Sequence, residues 1–187
     1  MTDAAERTRA VRQLPGGVGL WIFVLSDLLL FGVFFALFAH DLAADRNVYA
    51  QGRATLDSGI GLINTLLLLS GSWAVAMGTR VVAAHRTARY LVLAAVSGLL
   101  FLLFKSIEYM HLIAAGHHLT ENGFYTWYFV LTGYHALHVL AGIALLSVAA
   151  CGLRKHMLAL DFLEAAGCYW HLVDLLWIGI FSIVYLV

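Results

Sequence analysis

The chain has 187 residues, 62% hydrophobic and 12% charged, with 11 basic and 11 acidic side chains in balance. Its mean hydropathy is +0.87, whereas a soluble domain is nearer half apolar and a quarter charged. This excludes a water-soluble globule, a disordered chain and a basic nucleic-acid binder, and one proline with two cysteines excludes a Pro-rich linker and a disulfide scaffold. The composition predicts an all-α polytopic membrane bundle.

A helix that crosses a bilayer needs roughly 20 mostly apolar residues. Five stretches qualify: about Val18–His40, Gly59–Arg80, Tyr90–Leu112, Thr126–Cys151 and Cys168–Val187. Residues 1–17 read as a cytoplasmic tail and 18–187 as one five-helix transmembrane domain. The first apolar run is too long for a signal-peptide core and no prompt A-x-A site follows it, so it reads as a retained span. Alternation at the spacing of a membrane barrel strand does not occur. Arg7, Arg9, Arg12, Arg80, Arg86, Arg89, Arg154 and Lys155 fall on one side of the five spans, and Arg46 and Arg53 on the other. The positive-inside rule then places the N-terminus in the cytoplasm and the C-terminus outside. On this topology Cys151 and Cys168 lie at cytoplasmic helix ends and stay reduced, as structural thiols.

Small residues recur at close-packing spacing at Ser70, Ala74 and Gly78 on the second span and at Gly32 and Ala36 on the first. Trp21, Trp127, Trp170, Tyr90 and Tyr169 fall near span ends and read as interface anchors. Arg80, His85, Arg86 and Arg89 form a basic loop, which topology alone explains and which also suits anionic lipid headgroups.

Ionisable residues within the spans carry the functional question, since each costs about 2.5–3.5 kcal/mol at the bilayer centre. At 1.5 Å per residue, Asp27 lies roughly 14 Å from the cytoplasmic edge, His135 and His138 roughly 12–17 Å, and His171 and Asp174 roughly 5–9 Å. His135 and His138 are spaced i, i+3, as are His171 and Asp174, so each pair shares a face. Three readings stay open for this set: a buried network that fixes packing, a proton-handling site, or a metal site. Glu108-x-x-His111 has the form of a carboxylate-bridged di-iron step, but it occurs once and away from the deep histidines. Lys105 and Glu108, also i, i+3, read as an internal ion pair. His117 and His118 read as a solvated pair in a loop.

Five ordered motifs resemble subunit III of the haem-copper oxidase superfamily over residues 18–187. They are IFVLSDLLLFGVFF with Asp27 and a following His40, LINTLLLLSG at 62–71, FKSIEYMH at 104–111, FVLTGYHALHVLAG at 129–142, and YWHLVDLLWIGIF at 169–181. Relatives typically have Glu at Asp27 and many have Gln at Lys105; seven-span relatives carry two further N-terminal helices. The five-helix form, Asp27, LVDLLWIGIF and the short C-terminus resemble the branch associated with nitric oxide reductase.

The resemblance implies a non-catalytic subunit of a respiratory electron-transport complex, a terminal oxidase or a nitric oxide reductase of denitrification, in the bacterial inner membrane. It implies no haem or metal in this chain, with haem and copper or iron in a catalytic partner subunit. Phospholipid would bind in a cleft between helices. Neither nucleic acid nor a soluble substrate of its own is expected. It also links the position of Asp27 to carbodiimide reactivity and to proton uptake or oxygen entry. The residues alone leave two competitors: a small membrane metalloenzyme using Glu108, His111, His135, His138 and Asp27, and a free-standing proton or solute pathway.

Overall fold

The structure is a computed structural model that describes residues 16–80, 83–155, 157 and 160–187, with no side chain described for Leu160. The expected tail residues 1–15 lie outside these. Among the described residues the elements are α1 (Gly17–Ala44), α2 (Arg46–Ala54), α3 (Ser58–Thr79), α4 (Ala84–Ala114), α5 (Gly123–Arg154) and α6 (Leu160–Phe181), the last running into a π-helical turn at Ser182–Leu186. All but α2 provide helices long and apolar enough to span a bilayer.

α3 matches its apolar window to within one residue, whereas the other spans extend beyond theirs. α4 begins six residues early with a turn holding His85, Arg86 and Arg89, and α6 begins eight residues early with Asp161 and Glu164. Charges end a hydropathy window without ending a helix, because Arg and Glu are good helix formers. The polar helix α2 falls in what reads as a loop. Short side chains set the boundaries: Asp45 accepts from Val48 N–H, Asp57 from Gly59 and Ile60 N–H, and Asn122 from Tyr125 N–H, capping α2, α3 and α5. α4 stops at Ala114, and Gly116 just beyond it, with a φ of 95°, lets the chain turn while His117 N–H donates back to Leu112 C=O.

α3, α4, α5 and α6 pack as a bundle, and α1 lies along its side against α6 and α5. Only 22% of the α1 span is buried, against 56% of the α6 span, so α6 is central and α1 peripheral. One end of the bundle holds α2, the α4–α5 loop and the π turn. The other holds the α3–α4 and α5–α6 connections.

The core is organised around Trp170. Its indole is fully buried and lies in a socket made by glycines of three helices. A Cβ added at Gly98 would come within 2.7 Å of the indole, at Gly142 within 2.9 Å, and at Gly71 within 3.3 Å. Trp170 is therefore a core residue, not an interface anchor, and Tyr169, also buried, donates to the His138 carbonyl at 3.2 Å. Residue position near the end of an apolar window was misleading because α6 starts well before that window. Of the other aromatics, Trp21 and Tyr90 are half-buried, and Trp127 donates from its indole to Asp41 at 2.8 Å, tying α5 to the end of α1.

The small-residue stripes need correction as well. On α3 the packed face is Gly71, Ala74 and Gly78, while Ser70 is exposed. Gly32 and Ala36 are exposed, and a Cβ at Gly32 would meet nothing within 4 Å. Small-residue spacing marks a face where a close approach is allowed, not one where it happens.

Gly98→Ala should lower the thermal stability of the detergent-solubilised protein by about 1–3 kcal/mol through overpacking against the indole. Gly32→Ala, facing open space, should leave the same melting curve unchanged.

Candidate functional site

Among the described residues, the buried Asp, Glu, Lys and His side chains form two separate bonded clusters and two groups that stand apart. The first cluster pairs α1 with α5. His138 Nε2 lies 3.1 Å from Asp27 Oδ1, and both side chains are buried. His138 Nδ1 lies 2.9 Å from the Tyr134 carbonyl oxygen. A carbonyl can only accept, so Nδ1 carries a hydrogen. The contact between Nε2 and Oδ1 then needs one further proton, on the nitrogen or on the oxygen. Asp27 and His138 thus share one proton, and the pair is neutral overall in either placement. Neutrality removes most of the cost of holding a carboxylate inside the membrane. Phe31, Tyr134 and Tyr169 surround the imidazole with ring centroids at 5.8, 4.7 and 6.5 Å. Asp27 Oδ2 is buried and makes no hydrogen bond.

The second cluster lies toward the α2 end. Lys105 Nζ donates to Glu108 Oε2 at 2.7 Å, to Tyr185 Oη at 2.6 Å and to Tyr128 Oη at 3.1 Å, using all three ammonium hydrogens. Tyr185 in turn donates to Glu108 Oε1 at 2.7 Å. The ammonium also lies 4.7–5.6 Å from the ring centroids of Tyr128, Tyr185, Trp177 and Tyr109, within cation–π reach. The ion pair is thus closed by two phenols, and the π turn is what carries Tyr185 to it. The i, i+3 spacing of Lys105 and Glu108 was visible in the sequence; Tyr128 and Tyr185, 23 and 80 residues away from Lys105, carried no signal.

His135, although i, i+3 from His138, belongs to neither cluster. It is fully buried between Phe101 and Trp177, at centroid distances of 5.5 and 5.2 Å, with no hydrogen bond at either nitrogen. Positions three apart diverge by about 60° around a helix, enough for Tyr134 and Asp27 to reach one ring and not the other. His171 and Asp174 diverge likewise. His171 is exposed and its Nδ1 pairs with the Ser72 hydroxyl at 2.5 Å. Asp174 is buried, and neither of its oxygens has a hydrogen-bond partner in good geometry.

The residues of the metal reading do not converge among the described residues. Glu108 is held by Lys105 and Tyr185 while His111 is exposed, and no cluster of three or more His, Cys, Asp or Glu is placed to hold an ion. His117 is not merely solvated: it pairs with Glu121 at 3.0 Å and stacks on Tyr125 at 4.4 Å, while His118 is exposed. Cys151 is exposed and Cys168 half-buried, both as free thiols. Arg80, His85, Arg86 and Arg89 are all exposed around the start of α4, where Arg86, Arg89, Tyr90 and Leu93 line an open hollow of about 410 Å³.

The profile described as cytochrome c oxidase subunit III matches residues 4–187. Cytochrome c oxidase subunit 3 of Corynebacterium diphtheriae is 31% identical, over 98% of this chain and 95% of its own length. The wheat (Triticum aestivum) protein of the same name is 31% identical over 98% of this chain and 72% of its own. Cytochrome bo(3) ubiquinol oxidase subunit 3 of Buchnera aphidicola is 28% identical over 90% and 84%.

Two outcomes follow from the clusters. Lys105→Met alone should destabilise the protein by about 3–5 kcal/mol, since it leaves Glu108 buried and unpaired, and adding Glu108→Gln should recover much of that loss; thermal unfolding in detergent reads both. A hydrophobic carbodiimide, which attacks protonated carboxyls, should label Asp27 ahead of Asp174 in peptide mass spectra. Asp27→Asn should abolish that label, and preferential labelling of Asp174 would assign the reactive carboxyl wrongly.

Proposed function

The chain belongs to the cytochrome c oxidase subunit III family, and from that premise we propose that it is a non-catalytic membrane subunit of a haem-copper respiratory complex, in a bacterial inner membrane. The observation that carries the reading is the family match across residues 4–187. The relatives matched include both cytochrome c and quinol oxidase subunits, so the resemblance does not depend on one electron donor. In this reading the chain supports assembly and durability of the complex, and the haem and metal chemistry stays in a catalytic partner subunit. The partner is a terminal oxidase or a nitric oxide reductase; Asp27 in place of the family's Glu and the LVDLLWIGIF segment favour the latter.

Three finer elements belong to the same proposal. The N-terminus faces the cytoplasm, supported by the excess of Lys and Arg on that side. Arg80, His85, Arg86 and Arg89 hold anionic lipid headgroups there, supported by their exposure around the start of α4. The one-proton pair of Asp27 and His138 contributes to proton access, supported by its burial and by the ability of a neutral carboxyl–imidazole pair to relocate a proton without creating net charge.

The test is a mild-detergent pull-down of the tagged chain from its native membrane, with a visible spectrum and mass spectrometry on one eluate. The expected result is a haem spectrum that tracks a large co-purifying subunit, whose identity and gas reactivity separate oxidase from nitric oxide reductase. A chain that emerges alone and coloured, or alone with stoichiometric metal, would replace the accessory role with the metalloenzyme.

A further inference from the structure

Ionisable groups at depth in this bundle turn inward, with one exception among the described residues. Asp27, Lys105, Glu108, His135, His138 and Asp174 are buried, whereas His171 is exposed. It does not sit at a helix end. Its partner Ser72 lies about 10 Å along the axis from Thr79, the last residue of α3. Lipid chains at such a depth offer no hydrogen bond. Ionisable side chains there almost always face the protein interior or a polar partner.

Ser72 and His171 are built as a pair. Serines elsewhere in the spans, among them Ser26, Ser70, Ser106 and Ser147, turn their hydroxyls back to a carbonyl of their own helix. The Ser72 hydroxyl instead meets His171 Nδ1 at 2.5 Å, across the contact of α3 with α6. A neutral imidazole has one N–H and one bare nitrogen. Whichever of these Ser72 engages, Nε2 is the other, and His171 makes no further hydrogen bond among the described residues. The fold holds the ring by one nitrogen and leaves the second one open.

The surroundings complete a surface. Leu175 and Ile178 follow His171 at i+4 and i+7, so all three share a face of α6, and all three are exposed. On α3, Leu69 and Trp73 are exposed at i, i+4, with half-buried Ser72 at the edge of their face. One polar point among large apolar side chains, with a tryptophan beside it, is the composition of an interface core. None of these side chains carries a fixed charge, so the group that matches them is a neutral donor or acceptor. The depth excludes a soluble partner and a lipid headgroup, and an acyl chain has nothing to offer Nε2.

We propose that this face of α3 and α6 is where a transmembrane helix of a partner subunit packs, presenting a neutral hydrogen-bonding side chain (Ser, Thr, Asn or Gln) to His171 Nε2. The inference rests on the membrane-subunit reading above and adds the surface by which the chain is held in its complex.

The experiment uses the tagged chain in its native membrane. Photoreactive benzoylphenylalanine replaces Leu175 in one preparation and Leu103, exposed on α4, in another. After illumination the complex is purified and cross-linked peptides are identified by mass spectrometry. The Leu175 probe should join a transmembrane segment of a co-purifying subunit, within one turn of a Ser, Thr, Asn or Gln, and the Leu103 probe should not reach that segment. His171→Leu should weaken retention of that subunit in a detergent titration by roughly threefold to twentyfold. His171→Gln, which restores a donor and an acceptor, should recover most of the loss. Cross-links from Leu175 to lipid alone or to a second copy of this chain would overturn the proposal, as would unchanged retention in His171→Leu. Absence of any second membrane subunit from the unmodified complex would instead overturn the reading on which it rests, and this face with it.

Discussion

Trp170 fits only because three helices give up their side chains to it. Its indole occupies the space that Cβ atoms would take at Gly71, Gly98 and Gly142, so α3, α4 and α5 all approach α6 at one level. In a bilayer the hydrophobic effect does not drive helices together, and close contact must come from packing. A large flat ring keyed into three glycine backbones supplies such contact where Leu against Leu would gain little over lipid. The placing of the other groups follows. Once α6 is seated by Trp170, Trp177 lies about two turns on, where its indole donates to Thr65 at 3.0 Å and its face covers Lys105 and His135. Tyr185 arrives a further two turns along, at the ammonium.

The two bonded clusters meet the same constraint in different ways. Lys105 and Glu108 are charged and buried, so each hydrogen and oxygen that matters is given a partner, and aromatic faces fill the remaining solid angle. Asp27 and His138 instead cancel their charges by sharing one proton. The two differ in how fully they are satisfied: both oxygens of Glu108 accept a hydrogen bond, whereas Asp27 Oδ2 accepts none.

The periphery is less tightly held than the core. α1 touches the bundle along one side and leaves most of its span bare, and its helix runs on into an amphipathic segment whose arginines have no internal partner.

Five membrane helices were legible in the sequence, because burial in hydrocarbon requires long apolar runs and leaves little room for ambiguity. So was the Lys105–Glu108 pair, since partners three residues apart on one helix meet whatever the tertiary fold. The five motifs carried the family. What the sequence did not contain was azimuth: hydropathy in a span is nearly uniform around the helix, so it does not say which side faces lipid and which faces a neighbour. Hence Trp170 read as an anchor and proved to be the core, Gly32 and Ala36 read as a packing face and proved bare, and His135 was grouped with His138 though the fold gives them different neighbours. Asp27 with His138, and Lys105 with Tyr185, join residues 111 and 80 positions apart. Such pairs exist only once the helices have chosen their rotations, and in this chain that choice is made by the fit of an indole among glycines.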